Sequence, residues 1–133
     1  FLARDPANVQ GHVHYGLVLE ELGENDRAVE EYRRAIELAP EDPLPRINLG
    51  SLLYFQYAKT YEAKSELARA LELDPDNPDA HFNMGVLFAD ANMFQEAKVE
   101  WERVLELTTD GPAHTLAEEN LERIRPLLDT PGP

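Results

Sequence analysis

The residue types that carry most catalysis are sparse and poorly spaced in this chain of 133 residues. His12 and His14 stand two apart, which on a helix separates them by roughly 200°. They cannot share a metal ion as an i, i+4 pair does. His114 stands alone near the start of the last helical stretch, and Ser51 has no histidine in register to draw off its proton, so no activated hydroxyl is indicated. Glu118 and Glu119 are adjacent and point in different directions on a helix, which suits solvation better than acid–base work. There is no cysteine, hence no disulfide and no thiolate metal site, and no glycine-rich phosphate loop. The expectation is a chain that is not an enzyme and uses no metal or cofactor. Amides are better placed than acids or nucleophiles. Asn48 and Asn83 recur 35 residues apart, with His14 in the matching place 34 residues before Asn48. A carboxamide offers both donor and acceptor, the combination needed to hold a peptide backbone without reading its side chains. Local hydrogen bonding is the competing use of the same amides.

The elements that carry these groups repeat. Gly16, Gly50 and Gly85 are separated by 34 and 35 residues, as are Pro6, Pro40 and Pro75. Ala28, Ala63 and Ala97 follow with gaps of 35 and 34, and so do Ala35, Ala70 and Val104. Self-similarity at this period marks stacked helical pairs, none of which buries its apolar face alone. Three full units are read over 9–42, 43–77 and 78–111, after the tail of an upstream unit over 1–8. A terminal helix over 112–128 and a disordered tail over 129–133 follow. The segment Asp5-Pro6-Ala7-Asn8 repeats Asp74-Pro75-Asp76-Asn77, so the chain is expected to begin inside a repeat, as a fragment or excised domain. The extra residue of the second unit lies between Gly50 and Ala63 and is assigned to the turn joining that unit's helices.

Within each unit one stripe recurs at helical spacing: His12, Tyr15, Gly16 and Leu19; Arg46, Leu49, Gly50 and Leu53; His81, Met84, Gly85 and Phe88. The second helices answer with Ala28, Tyr32 and Ala35, then Ala63, Leu67 and Ala70, then Ala97, Trp101 and Val104. Small residues alternate with large ones, so two helices approach closely while an aromatic ring or leucine fills the space beside them. A glycine inside a helix costs about 1 kcal/mol relative to alanine, so three at equivalent places imply a steric reason. On the terminal helix Ala117, Leu121, Ile124 and Leu128 share one face, while Glu118, Glu119, Glu122 and Arg123 point elsewhere, the pattern of a cap on the end of a stack. Pro126 is expected to end or bend that helix.

Tyr15-Gly16, Leu19, Ala28, Tyr32, Ala35 and Pro40 in the first unit, and Met84-Gly85, Phe88, Ala97, Trp101 and Val104 in the third, resemble the tetratricopeptide repeat. Thr109 departs from the pattern where proline is expected, and His12, Arg46 and His81 replace a bulky aromatic residue. The resemblance implies an all-α, right-handed superhelical solenoid of helix-turn-helix repeats with a capping helix at its C-terminal end. It also implies that the first helices line a concave wall. The chaperone-binding members of the family clamp an acidic carboxyl-terminal tail with Lys, Asn, Asn, Lys and Arg. The matching places hold Val13, Leu17, Asn48, Asp79 and Asn83, of which only Asn48 agrees. Without cations there, nothing pairs with a terminal carboxylate.

A second stripe on the first helices is left over by internal packing. It comprises Val13, Leu17, Glu20 and Glu21, then Ile47, Ser51, Tyr54 and Phe55, then Phe82, Val86, Ala89 and Asp90. With His14, Asn48 and Asn83 alongside and Asp79 at the border, these residues form an apolar floor with an acidic rim. That suits a protein or peptide partner with hydrophobic anchors and some Lys or Arg. Burial of Phe55 or Phe82 against a neighbouring repeat is the competing assignment. The chain has 12 basic and 26 acidic residues and a formal net charge of −14, which repels phosphate backbones and anionic membranes. Neither nucleic acid nor membrane insertion is expected, and no apolar run approaches the roughly 20 residues that cross a bilayer. A soluble, cytoplasmic setting is the expectation, with the compartment otherwise unfixed. The function expected is a non-catalytic peptide-binding scaffold. A self-assembly or spacer module in a longer superhelix, and a targeting segment of a larger enzyme, are the alternatives.

Overall fold

Three helices start on proline. Pro43, Pro78 and Pro112 take the first helical position, where a missing N–H leaves nothing unsatisfied and the fixed φ is already helical. Ahead of two of them a side chain caps the open N–H groups: Asp42 accepts from Leu44 N (3.0 Å) and Asn77 from Ala80 N (3.1 Å). The computed structural model describes residues 7–129. It contains α1 (Ala7–Glu21), α2 (Asn25–Leu38), α3 (Pro43–Tyr57), α4 (Thr60–Leu73), α5 (Pro78–Asp90), α6 (Phe94–Leu107) and α7 (Pro112–Leu128). No strand occurs among the described residues. Of the upstream repeat tail expected over 1–8, all but Ala7 and Asn8 lies outside the described residues. Of the terminal tail expected over 129–133, only Asp129 is described.

Two compact units divide at Asp74 and Pro75. The first holds α1 to α4: α1 packs on α2, α2 on α3, and α3 on α4. Its core gathers Val13, Leu19, Tyr32, Leu49 and Leu52 around Ala28, Ala35 and Ala63, and the three alanines are fully buried. The second unit holds α5 to α7, with α6 packed on both α5 and α7. Its core comprises Ala97, Trp101, Val104, Ala117 and Ile124, with Phe82, Leu121 and Leu128 packed around it. Ala117 and Ile124 supply the buried side of α7, and that helix runs through Pro126 to Leu128 rather than stopping there.

Each glycine of the period lies where its helix meets a large side chain. A Cβ on Gly16 would stand 2.5 Å from Cε1 of Tyr32, and one on Gly85 would stand 2.3 Å from Nε1 of Trp101. At Gly50 the gap is wider, 3.1 Å to Cγ of Leu67. Beside each glycine a polar pair joins the two helices of the hairpin. His12 Nδ1 lies 2.6 Å from Glu31 Oε1, Arg46 Nη1 3.0 Å from Glu66 Oε1, and His81 Nδ1 2.8 Å from Glu100 Oε1. The second nitrogen of His81, Nε2, is 2.7 Å from the carbonyl oxygen of Pro75. These three residues take the place of a packing aromatic and meet their partner helix through polar contacts instead.

The turns inside the hairpins are alike in one respect. Gly23, Ala58 and Asn92 each adopt a positive φ (78°, 54° and 60°). After each, a backbone N–H reaches back into the preceding helix: Glu24 N to Leu19 O (2.8 Å), Lys59 N to Leu53 O (2.9 Å), Met93 N to Phe88 O (2.8 Å). In the second hairpin this closure spans one residue more than in the others. The extra residue therefore sits between Leu53 and Ala58, in the last turn of α3, and not in the connecting turn as the sequence implied. It carries the end of α3 to the start of α2, where the Tyr57 hydroxyl donates to the Asp26 carboxylate and Asn25 Nδ2 reaches Gln56 Oε1 (3.5 Å).

Candidate functional site

In the first unit the spare stripe divides between core and surface. Val13 is 5% exposed and Ile47 3%. Both are buried apolar side chains rather than the groove contacts expected of them, and Val13 sits in the core with Leu19 and Tyr32. Glu20 is half-buried, and its carboxylate accepts a hydrogen bond from the Tyr32 hydroxyl, so it is not a free rim charge. Burial pushes the Tyr32 phenol far above its ordinary pKa, and the hydrogen bond and nearby charge of Glu20 add to the shift. What remains on the surface is His14, Leu17 (44% exposed) and Glu21 on α1, with Phe55 (57% exposed) on α3. Asn48 and Ser51 are half-buried along α3. Tyr54 packs against the core and meets the Phe55 ring edge-on, centroids 5.0 Å apart.

The second unit offers a shorter face. Asp79 is exposed in the first turn of α5, where a carboxylate is favoured by the helix dipole. Phe82 belongs with the core: its ring lies 6.3 Å from that of Trp101, and its carbonyl oxygen accepts from Trp101 Nε1 (3.1 Å). Asn83 and Val86 are half-buried, and Asp90 is exposed at the end of α5. Neither Asn48 nor Asn83 has a side-chain hydrogen-bond partner among the described residues. Their local use as bracing groups finds no counterpart there.

Between α5 and α7 lies a hollow of about 260 Å³. Val86, Ala89 and Ile124 line it with the indole of Trp101, and Asp90, Asn120 and Arg123 stand around it. The sequence reading missed Asn120 and Arg123, having turned Arg123 away from the packed face. Their spacing from Ile124 held the signal, since Asn120 is four residues from it and shares its side of the helix.

His12, His81 and His114 are engaged in contacts between helices. His12 and His81 pair with glutamates on partner helices. Thr108 Oγ1 donates to Val104 O (2.7 Å) and therefore accepts from His114 Nδ1 (2.9 Å) at the joint of α6 and α7. No group of three His, Asp or Glu residues close enough to hold a metal occurs among the described residues, nor is any described helix long and apolar enough to cross a membrane.

A family model described as TPR repeat matches residues 16–56 and 61–92. The chain belongs to the tetratricopeptide repeat family. Among solved structures it is similar to the first TPR of Spaghetti (RPAP3) bound to the HSP90 peptide SRMEEVD. That structure is 25% identical with a TM-score of 0.82, over 95% of this chain and 97% of that one. The first TPR domain of the human RPAP3 protein is 26% identical with a TM-score of 0.82, over 93% and 94%. The Arabidopsis OM64 TPR domain shares the fold at 18% identity and a TM-score of 0.76, over 89% and 97%. No curated protein matches the sequence. Against this tetratricopeptide repeat background, close glycine–aromatic contacts pack the first and third hairpins, at Gly16 and Gly85, and Gly50 faces a leucine in the second. The polar pairs at His12, Arg46 and His81 are where this chain departs from the bulky aromatic of the pattern.

Proposed function

We propose that this tetratricopeptide repeat chain is a non-catalytic scaffold that holds peptide stretches of a partner protein on the first helices of its hairpins, α1 and α3 in one unit and α5 in the other. The observation that carries the reading is the pair Asn48 and Asn83. Each is half-buried at the same place of its hairpin, with a carboxamide left without a partner among the described residues and apolar surface beside it. An amide so placed can donate to and accept from a peptide bond, while Leu17, Phe55 and Val86 offer contact for apolar side chains. The similar RPAP3 domain bound to a peptide supports the same class of partner.

The exposed carboxylates Glu21, Asp79 and Asp90, in a chain of net charge −14, favour Lys or Arg in the flanks of such a ligand. The terminal carboxylate of an acidic tail has no cation waiting at Val13, Leu17, Asp79 or Asn83, and Val13 is buried. The test is isothermal titration with an array of extended peptides carrying hydrophobic and basic residues. The best binder is then titrated into Asn48→Ala and, separately, into Asn83→Ala, each of which removes one donor and one acceptor. Loss of two side-chain hydrogen bonds should weaken binding by about tenfold while helical content is unchanged. Unchanged affinity in both variants would sink the reading. Dimerisation by sedimentation with no peptide affinity would favour a self-assembly module instead.

A further inference from the structure

The hollow between α5 and α7 has apolar lining and, at its edge, an arginine with no ion pair among the described residues. Arg123 touches only Asn120 Oδ1, at 3.4 Å, and makes no ion pair among the described residues. The other two arginines of this unit are paired, Arg103 with Asp76 and Glu106, and Arg125 with Glu122. Arg33 and Arg34, exposed on α2, also lack an ion pair among the described residues, so an unpaired guanidinium is informative only where it borders a cavity. Arg123 differs from a purely solvated arginine in bordering a cavity lined by Val86, Trp101 and Ile124. Asn120 has its oxygen engaged by Arg123, so its amide N–H groups are free to donate beside the guanidinium.

We propose that this hollow is a specificity pocket for a partner peptide carrying a bulky apolar side chain with Asp or Glu two residues away. In an extended segment residues i and i+2 lie on the same side, so the apolar side chain enters over Trp101 as the carboxylate meets Arg123 and the Asn120 amide. The inference rests on the scaffold reading above and adds a requirement to it. The ligand's basic residues serve the acidic surface, and an acidic residue marks the part that meets α7. Arg123 would oppose a lysine at that point.

Trp101 is the sole tryptophan of the chain, so its fluorescence reports the pocket directly. The probes are heptapeptides with acetylated N-termini and amidated C-termini, carrying Leu, Phe or Met at position i and Glu, Gln or Lys at i+2. Total binding is measured by calorimetry and pocket occupancy by tryptophan emission. The Glu peptides should shift the emission and bind about tenfold more tightly than their Gln counterparts, the scale of one charge-assisted pair. In Arg123→Gln that preference should vanish while circular dichroism stays unchanged. Ala89→Phe, which fills the hollow from the α5 side, should abolish the emission change.

If peptides bind by calorimetry but show neither the Glu preference nor an emission change, the pocket is wrong and the scaffold survives. If Lys outperforms Glu, with the effect lost in Asp90→Asn, Asp90 is the anchor and the proposal is overturned. If no peptide binds at all, both readings fall.

Discussion

Trp101 occupies the space that a side chain on Gly85 would need: a Cβ there would lie 2.3 Å from the indole nitrogen, while that nitrogen donates to the carbonyl oxygen of Phe82 (3.1 Å). The first hairpin repeats the arrangement with Gly16 under the Tyr32 ring. A large side chain on the second helix thus requires hydrogen in place of a methyl group on the first. Leu67, in the second hairpin, imposes the requirement less strictly.

Alanine scanning of the three glycines should therefore split. Gly16→Ala and Gly85→Ala gain about 1 kcal/mol in helix propensity, but force a buried ring out of place at a cost of about 1–3 kcal/mol. Both should lower the thermal midpoint measured by far-UV circular dichroism. Gly50→Ala, facing Leu67 at 3.1 Å, should change it much less. A midpoint raised by Gly16→Ala would contradict the packing described.

Ala58 holds φ 54° with a Cβ, in a conformation that costs an L-residue about 1 kcal/mol and costs glycine little. Ala58→Gly should raise stability in chemical denaturation, despite the added freedom of the unfolded chain. A loss of stability would mean that the turn is relaxed as it stands.

Alkaline titration separates two tyrosines. The hydrogen bond to Asp26 holds the Tyr57 phenol up to about 12, and burial holds that of Tyr32 higher still. A raised phenol pKa favours the fold fully below the ordinary tyrosine value near 10, and the contribution fades as pH climbs through the folded value. Phenolate absorbance from Tyr57 should appear near pH 12, and Tyr57→Phe should remove that step. Absorbance from Tyr32 should appear together with loss of helical signal. Ionisation of Tyr32 while the helices remain intact would disprove its burial.

The bridging pair Arg46–Glu66 is mostly shielded from water, and Glu66→Gln leaves the guanidinium facing a neutral amide. A loss of about 1–3 kcal/mol is expected by urea unfolding. Arg46→His, which imitates the other two hairpins, should cost less than Arg46→Ala. Equal losses would reduce the pair to a bystander.

The HSP90 peptide SRMEEVD, seen on the similar RPAP3 domain, provides a control for the missing clamp. Any binding of it here should be indifferent to amidation of its C-terminus, since no cation occupies Val13, Leu17, Asp79 or Asn83. A severalfold drop on amidation, followed by calorimetry, would show that a terminal carboxylate is held after all.

Much of the architecture was legible because glycine, alanine and proline recur in register, and steric demands of close packing write themselves into small residues. The sites were less so. Val13 and Ile47 carry the same apolar character whether they face a ligand or a core, and only burial separates the two. Glu20 reads as a rim charge until the Tyr32 hydroxyl is seen to claim it. Arg123 was hidden because a helix read as a cap was assigned one useful face, whereas α7 presents an edge to α5 as well. The added residue in α3 escaped because a gap between two columns fixes how many residues intervene without saying which of them bulges.

That added residue makes the three hairpins unequal parts. The longer end of α3 places Tyr57 on Asp26 and Gln56 beside Asn25. A chimera that replaced the middle hairpin with a duplicate of the first would keep the glycine and alanine columns yet forfeit that tether. The order of the modules is therefore not freely permutable.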